Sequence, residues 1–367
     1  MRKSLRPLAQ WRSRRRKRAA AAANGPTLSG VDELSLTFRA VAEPWPGTRW
    51  QARFEQMWPA YERWFLRDGD AARPSYPVAR RMLATHMPEL VPVWERMVDL
   101  AGGGDLAARM LALYDPPPLV SGCSQAVYAG AEPVLVRNYD FDPSLLESVI
   151  HAGALTGRRV IGMTDCLWGL LDGMNDAGLS VSLAFGGRRV TGEGFAVPLV
   201  VRYLLEVCET TAEALEVLRR LPVQAAYNLT LLDRRGAAVT ACVAADRAPE
   251  PRGDAAVATN HPHVVEWPEH ARVTSSVERE ERILELLADP AVDEDAFVGA
   301  FLEPPLRSDA YASGFGTLYT AVHRPADGTI EYRWPADRWR QSFDAFEEGE
   351  RVVALNPRED LCSSSRA

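Results

Sequence analysis

Cys123 lies in LVSGCSQAVYAG (119–130), just after the triplet Pro116-Pro117-Pro118. Its neighbours Ser121, Gly122, Ser124 and Gln125 are small or polar, whereas a structural cysteine ordinarily packs among aliphatic side chains. A thiol of ordinary pKa, about 8.5, needs a base or a nearby cation to act as a nucleophile at neutral pH. Histidine is the usual helper, yet none of His86, His151, His261, His263, His270 and His323 stands in a Cys–His signature. Another base is available within the residue itself. Once the Gly122–Cys123 bond is cut, the α-amine of Cys123, with a pKa of roughly 7.7–8.0, lies within reach of its own thiol. An unhindered Gly122 lets the thiol attack the preceding carbonyl and shift the acyl group from N to S. Gly122 and Cys123 are therefore the candidate cleavage site, and Cys123 the candidate nucleophile.

That chemistry needs groups to orient the new amine and to hold an oxyanion. RNYDFD (137–142) begins close enough for its strand to pair back onto that of Cys123. In a strand Arg137 and Tyr139 face one side, Asn138 and Asp140 the other, so a bulge is expected if Arg137 and Asp140 are both to reach the nucleophile. ATNHPH (258–263) ends a strand on Asn260, whose amide can donate to a developing oxyanion. Each of these residues also has a plainer reading. Arg137 and Asp140 read equally as a surface ion pair, and Asp172-Gly173 with Asn175-Asp176-Ala177-Gly178 as turns. Ser275 reads as a helix cap, and Arg279 and Arg282 as a solvated helix face. His261, His263 and His270 have no third-ligand pattern for zinc. Cys166, Cys208 and Cys242 sit in apolar runs and read as core; Cys362 lies in a polar tail.

The elements that must position these groups are legible from periodicity. Trp50, Phe54, Met57/Trp58, Tyr61 and Phe65 recur at helical spacing, as do Leu83, Met87, Leu90, Trp94 and Val98; Leu106–Tyr114 adds a shorter helix. Residues 31–122 thus read as a helical segment ending at the cleavage site. After Cys123, strand-like runs follow quickly: PVLVRNY (133–139), RRVIGM (158–163), LWGLLDGM (167–174) and GLSVSLAF (178–185). Two helices are expected over Val197–Cys208 and Thr210–Leu221, the second opening on a capping box. Strands resume at 227–233, 237–243 and 255–260, and a second capping box at Ser275 opens another helix. GTLYTAVH (316–323), TIEYRW (329–334) and QSFDAF (341–346) read as a closing antiparallel meander. Strict β-α-β alternation is absent, which predicts an α+β fold with two antiparallel sheets and helices outside them.

Composition narrows the partners. The chain is 47% hydrophobic and 25% charged, as a globular protein with a full core is. No run reaches the ~18–20 apolar residues of a membrane span. Residues 1–31 carry nine Lys/Arg and no acid although the whole chain is at −7. The run WRSRRRKR (11–18) reads as part of a disordered basic arm over residues 1–30, and the acidic remainder argues against a nucleic-acid partner. Five cysteines without CxxC spacing, and no secretory signal, point to reduced thiols in a cytoplasm. Nothing in the sequence sets an oligomeric state.

Five motifs in order carry a family resemblance: Gly122-Cys123; Arg137-Asn138-Tyr139-Asp140; Asp172 through Leu179 (DGMNDAGL); Ala258-Thr259-Asn260-His261; and Ser275-Ser276-Val277-Glu278-Arg279. The chain resembles the N-terminal-nucleophile (Ntn) hydrolases of the linear-amide branch, in particular the acyl-coenzyme A:6-aminopenicillanic acid acyltransferase (peptidase C45) family. The resemblance implies a four-layer αββα sandwich over residues 123–355, with the segment 31–122 kept as a bound small chain after cleavage and a polar tail over 356–367. It implies Cys123 as nucleophile and, once cleaved, its amine as base. Arg137 and Asp140 would fix thiolate and amine, Asn175 and Asn260 would form the oxyanion site, and Arg279 would close the cluster, with Arg282 a lesser candidate. Ser124 stands where Thr is common. A precursor segment this long departs from bile-salt hydrolases and agrees with the acyltransferase type. The implied activity is amide hydrolysis or acyl transfer on a small-molecule amide or acyl-thioester, without metal or organic cofactor. The alternative is an uncleaved, inactive relative that binds a small molecule or partner through the same pocket.

Overall fold

A computed structural model describes residues 34–356; the basic arm, Cys362 and the polar tail beyond Asn356 lie outside the described residues. Strand β1 (Ser35–Ala42) precedes helices α1 (Thr48–Phe65), α2 (Tyr76–His86), α3 (Val91–Leu100) and α4 (Asp105–Leu111). A run of strands follows: β2 (Gly122–Tyr128), β3 (Val134–Phe141), β4 (Val149–Gly153), β5 (Val160–Asp165), β6 (Gly169–Asn175) and β7 (Ser180–Phe185). Then come α5 (Val197–Val207), α6 (Thr211–Arg220), β8 (Tyr227–Leu232), β9 (Ala238–Ala244), β10 (Arg247–Pro251) and β11 (Val257–Ala258). Three helices, α7 (Pro268–Val273), α8 (Ser276–Ala288) and α9 (Glu294–Ala300), lead to β12 (Asp309–Ala310), β13 (Phe315–Arg324), β14 (Thr329–Trp334), β15 (Asp337–Ser342) and β16 (Gly349–Ala354).

Among the described residues the strands form two sheets. The first is nine-stranded in the order β10-β9-β8-β7-β6-β5-β4-β1-β16; the second runs β11-β2-β3-β13-β14-β15, with β12 pairing β13. Helix α5 packs on β6 and β7 of the first sheet, and α8 on β2 and β11 of the second, while β2 meets β7 and β8 across the middle. Helices, sheet, sheet, helices: this is the αββα sandwich that the resemblance implies. Helix α5 is buried nearly all round, as a helix apolar on every side must be. It can lie this close to the sheet because β6 carries Gly173, where a Cβ would meet Leu205 Cδ1 at 3.0 Å and the Ile161 carbonyl oxygen at 2.8 Å.

Three expectations are corrected. The segment before Cys123 is not only helical: its β1 inserts into the first sheet, antiparallel to β16 and parallel to β4, so that sheet is not wholly antiparallel. Its alternation of buried Phe38 and Ala40 with outward neighbours is a strand period. The third meander strand is Asp337–Ser342 rather than 341–346, and the last strand leaves the meander to pair with β1. Ser275 stands at the N-cap position of α8 but does not cap it with its side chain: its backbone is left-handed, φ 46°, and its hydroxyl makes no cap bond. At Thr210 the cap is present, Oγ1 accepting from Glu213 N at 3.2 Å.

Candidate active site

Strands β2 and β3 pair in unbroken antiparallel register, with Gly122 opposite Asp140, Cys123 opposite Tyr139 and Gln125 opposite Arg137. No bulge intervenes. Alternation therefore sends Cys123, Gln125, Arg137 and Tyr139 toward the gap between the sheets, and Ser124, Asn138 and Asp140 toward the outer helices. Arg137 Nη2 lies 3.6 Å from Cys123 Sγ, diagonally across the pair. Asp140 serves the other side of the same residue. It is packed against the Gly122–Cys123 peptide so closely that a Cβ on Gly122 would meet Asp140 Cβ at 3.1 Å and Oδ2 at 3.3 Å. Thus Arg137 faces the thiol while Asp140 lies against Gly122 on the other face of the pair, and the bulge expected from sequence is unnecessary.

Asn260 follows the short strand β11 and turns its carboxamide onto Cys123. Its Oδ1 accepts from Cys123 N at 2.9 Å and from Arg279 Nη2 at 2.8 Å. Its Nδ2 donates to the Phe185 carbonyl at 3.1 Å and to that of Ser121 at 3.4 Å, one peptide upstream of the scissile carbonyl. Arg279, in the first turn of α8, reaches Asp140 Oδ2 at 2.5 Å and Ser124 Oγ at 2.9 Å. Asp140 Oδ1 accepts from Thr317 Oγ1 at 2.7 Å. One guanidinium therefore ties together the groups on both sides of the Cys123 nitrogen.

Two expected residues are elsewhere. Asn175 donates through Nδ2 to the Leu205 and Cys208 carbonyls at 2.9 and 2.7 Å and accepts from Leu179 N at 3.0 Å. It holds the last carbonyls of α5 on the outer face of the first sheet, opposite the face from which Asp172 reaches Arg137. Arg282 is exposed and pairs with Glu285. The member of the DGMNDAGL motif that does face the site is Asp172, three residues before Asn175 and so on the opposite face of β6. Asp172 Oδ2 accepts from Arg137 Nη1 and from Tyr319 Oη, both at 2.6 Å. With Arg137 Nε donating to the Leu183 carbonyl at 3.0 Å, this fixes the guanidinium against the thiol. In the sequence Asp172 reads as a turn residue, beside Gly173. Ser121, whose Oγ lies 3.7 Å from Cys123 Sγ, reads there only as a polar neighbour.

The electrostatics favour a neutral thiol in the intact chain. Burial pushes the Cys123 pKa up; Arg137 pulls it down and Asp140 pushes it further up. Both local cations are matched by buried carboxylates, Arg137 by Asp172 and Arg279 by Asp140. Burial also raises the pKa of Asp140, with Arg279 and the Thr317 hydroxyl opposing it. A cleft of about 250 Å³ opens onto Gly122, Asp140 and Arg279, walled by Val273, Pro304, Pro305 and Phe315 with Arg307 among them. The arrangement offers a buried sulfur beside a fixed cation and a backbone nitrogen held by an amide oxygen. The cleft reaches the preceding residue, Gly122, and the Asp140–Arg279 pair.

No curated protein matches the chain. Three solved structures that align with it are as follows. A mutant of the conjugated bile acid hydrolase of Clostridium perfringens is 12% identical, covers 64% of this chain and 97% of its own, and has a TM-score of 0.46. The penicillin V acylase of Agrobacterium tumefaciens is 13% identical over 64% of this chain and 92% of its own, TM-score 0.42. The Caenorhabditis elegans orthologue of N-acylethanolamine-hydrolyzing acid amidase is 17% identical over 63% of this chain and 100% of its own, TM-score 0.42. The sequence model of one family spans residues 128–339, from the end of β2 to β15, and so includes Arg137, Asp140, Asn260 and Arg279. On that match, over more than half of its length, the chain belongs to the acyl-coenzyme A:6-aminopenicillanic acid acyltransferase family.

Proposed function

We propose that this chain is an autoprocessing cysteine amidohydrolase or acyltransferase that acts on linear amide C–N bonds through a thioester at Cys123. The observation that carries the reading is the paired environment of that residue: Arg137 3.6 Å from Sγ, and Asn260 Oδ1 2.9 Å from N. In the first event Sγ attacks the Gly122 carbonyl carbon, the C–N bond to Cys123 breaks, and the thiol proton goes to the departing nitrogen. Water then cleaves the thioester, leaving a carboxylate on Gly122 and a free amine on Cys123. That amine inherits the position of the peptide nitrogen, with Asn260 Oδ1 as acceptor and the Asp140–Arg279 pair alongside.

In turnover the amine takes the thiol proton as Sγ attacks the substrate acyl carbon, then delivers it to the leaving amine. The role of oxyanion donor falls to Asn260 Nδ2, which in the intact chain reaches toward the Ser121 carbonyl. A water or a second amine resolves the acyl-enzyme.

Intact-mass measurement tests the reading. Wild type should yield two pieces, residues 1–122 and 123–367, and Cys123→Ala a single chain. The processed form should then turn over members of a panel of N-acyl amino acids, β-alanyl amines and acyl-thioesters. A folded wild-type chain that stays whole would overturn the proposal.

A further inference from the structure

Behind Asn260 runs a line of buried polar groups that neither chemical step uses. The Asn260 backbone N–H donates to Ser276 Oγ at 2.8 Å, and Ser276 Oγ lies 2.7 Å from His261 Nδ1. His261 Nε2 lies 3.2 Å from Glu280 Oε2, which Arg252 also contacts at 2.5 Å. A carboxylate only accepts, so in the neutral imidazole the proton sits on Nε2, toward Glu280, and Nδ1 presents its lone pair. The one Ser276 hydroxyl proton then has two acceptors, His261 Nδ1 at 2.7 Å and Thr259 Oγ1 at 3.0 Å, while an Oγ lone pair takes the Asn260 N–H. Thr259 Oγ1 donates to the Ser276 carbonyl at 2.8 Å, a second tie between the end of β11 and the start of α8.

From this the geometry points to Glu280, His261 and Ser276 as a positioning relay that locks the Asn260 strand end to the Arg279 helix start and so sets both residues on Cys123. Its consequence for turnover rests on the function proposed above; its bonding does not. The need for such a lock is visible at Asn260 Oδ1, on which Cys123 N and Arg279 Nη2 converge. A displacement of about 1 Å breaks both bonds, and misplacement on that scale costs on the order of 100-fold in rate. Serine, histidine and glutamate are also the residue types of a hydrolase triad. Here, however, Ser276 is fully buried and its lone pair is committed to a backbone amide, so it is not a nucleophile.

The relay is tested first in chains carrying Cys123→Ala, where activity plays no part. Adding Ser276→Ala should speed hydrogen exchange at the Asn260 amide at least tenfold, and an unchanged rate overturns the relay whatever the enzyme does. In the processed enzyme Ser276→Ala and His261→Phe should each lower kcat by roughly 10- to 100-fold with KM within about threefold. Undiminished kcat overturns the positioning role.

The pH profile separates positioning from packing. Burial holds the His261 imidazole below its ordinary value; Glu280 opposes this, while Arg252 and Arg279 add to it. Protonated Nδ1 no longer accepts from Ser276, so wild-type kcat/KM should fall more steeply at the acid end than the amine alone dictates. His261→Asn keeps an acceptor near Nδ1 that does not titrate. It should recover most of what His261→Phe loses and lack the extra acid fall. If it behaves like His261→Phe, or its profile superimposes on wild type, the relay is only packing and the inference fails.

Discussion

Arg137 and Arg279 divide one cysteine between them, the first on the sulfur and the second, through Asn260 and Asp140, on the nitrogen. Asn260→Ala removes a side chain that contacts both Cys123 N and the Ser121 carbonyl, and loss of an oxyanion donor costs about 10²–10³ in rate. We expect turnover of the processed form to fall by that factor while far-UV circular dichroism stays unchanged. Undiminished turnover would remove Asn260 from the mechanism. Asp172→Asn should act differently. The Arg137–Asp172 pair is fully buried on both sides, and removing one partner leaves an uncompensated charge at a cost of about 3–5 kcal/mol. Urea unfolding of this variant in the Cys123→Ala background reads that loss free of any processing. The sequence carried Cys123, Arg137, Asp140, Asn260 and Arg279 as residue types in order, and the fold gathers all five. It did not carry Asp172 or exclude Asn175, because which of two residues three apart faces the site depends on the face of β6 turned inward, and that is set by packing against α5.

Local signals predicted an element well where its own residues close it, and poorly where a distant partner does. Helix α1 follows from a stripe of aromatics, and β3 from the apolar run PVLVRNY just beyond the cleavage site. By contrast β1 pairs with β16 from the far end of the chain, so no neighbouring turn marks it. The two capping boxes separate the cases further. Thr210 makes its bond, so Thr210→Ala should cost about 1 kcal/mol in urea unfolding. Ser275 holds a left-handed backbone at φ 46° without a cap bond, so Ser275→Gly should leave stability unchanged or raise it. A loss of about 1 kcal/mol at Ser275 and none at Thr210 would reverse that assignment. Strand β13 carries a pH term through His323, which is fully buried, 3.6 Å from Asp172 Oδ1. Burial pushes its pKa down to about 4, Asp172 pulling up and Arg137 down. A depressed histidine binds its proton in the unfolded chain first. Its stabilisation is whole above about pH 6.5 and is lost as the pH falls toward 4, a change of roughly 3 kcal/mol. Between pH 6.5 and 4, wild type should lose about that much more stability than His323→Gln. Parallel losses would show that the imidazole does not titrate in this window.

Cleavage at Gly122–Cys123 would leave a molecule whose first sheet is built from two chains. Strand β1 lies between β4 and β16, and the described partner of β16 is β1 alone, so a small chain that departed would unpair both neighbours. The helical part is bound as firmly. Phe65, Leu83, Trp94 and Met97 are fully buried, each contributing about 1.5–3 kcal/mol in apolar burial. Polar ties cross the same boundary: Trp168 Nε1 donates to the Leu111 carbonyl at 3.0 Å, Cys166 N to Tyr61 Oη at 3.0 Å, and Tyr203 Oη to Glu89 at 2.8 Å. We therefore expect the processed protein to elute as one species from a native sizing column and to resolve into two only under denaturing conditions. Thermodynamics supplies a sharper check. In the uncleaved Cys123→Ala chain unfolding is unimolecular, so its stability is independent of concentration. In the processed form refolding requires two pieces to meet, and each tenfold dilution removes about 1.4 kcal/mol from the apparent stability. Melting curves of the two proteins at three concentrations each should show a Tm that falls on dilution for the processed form alone. If both stay fixed while mass confirms cleavage, residues 1–122 are dispensable to the folded core and β1 does not hold the sheet together.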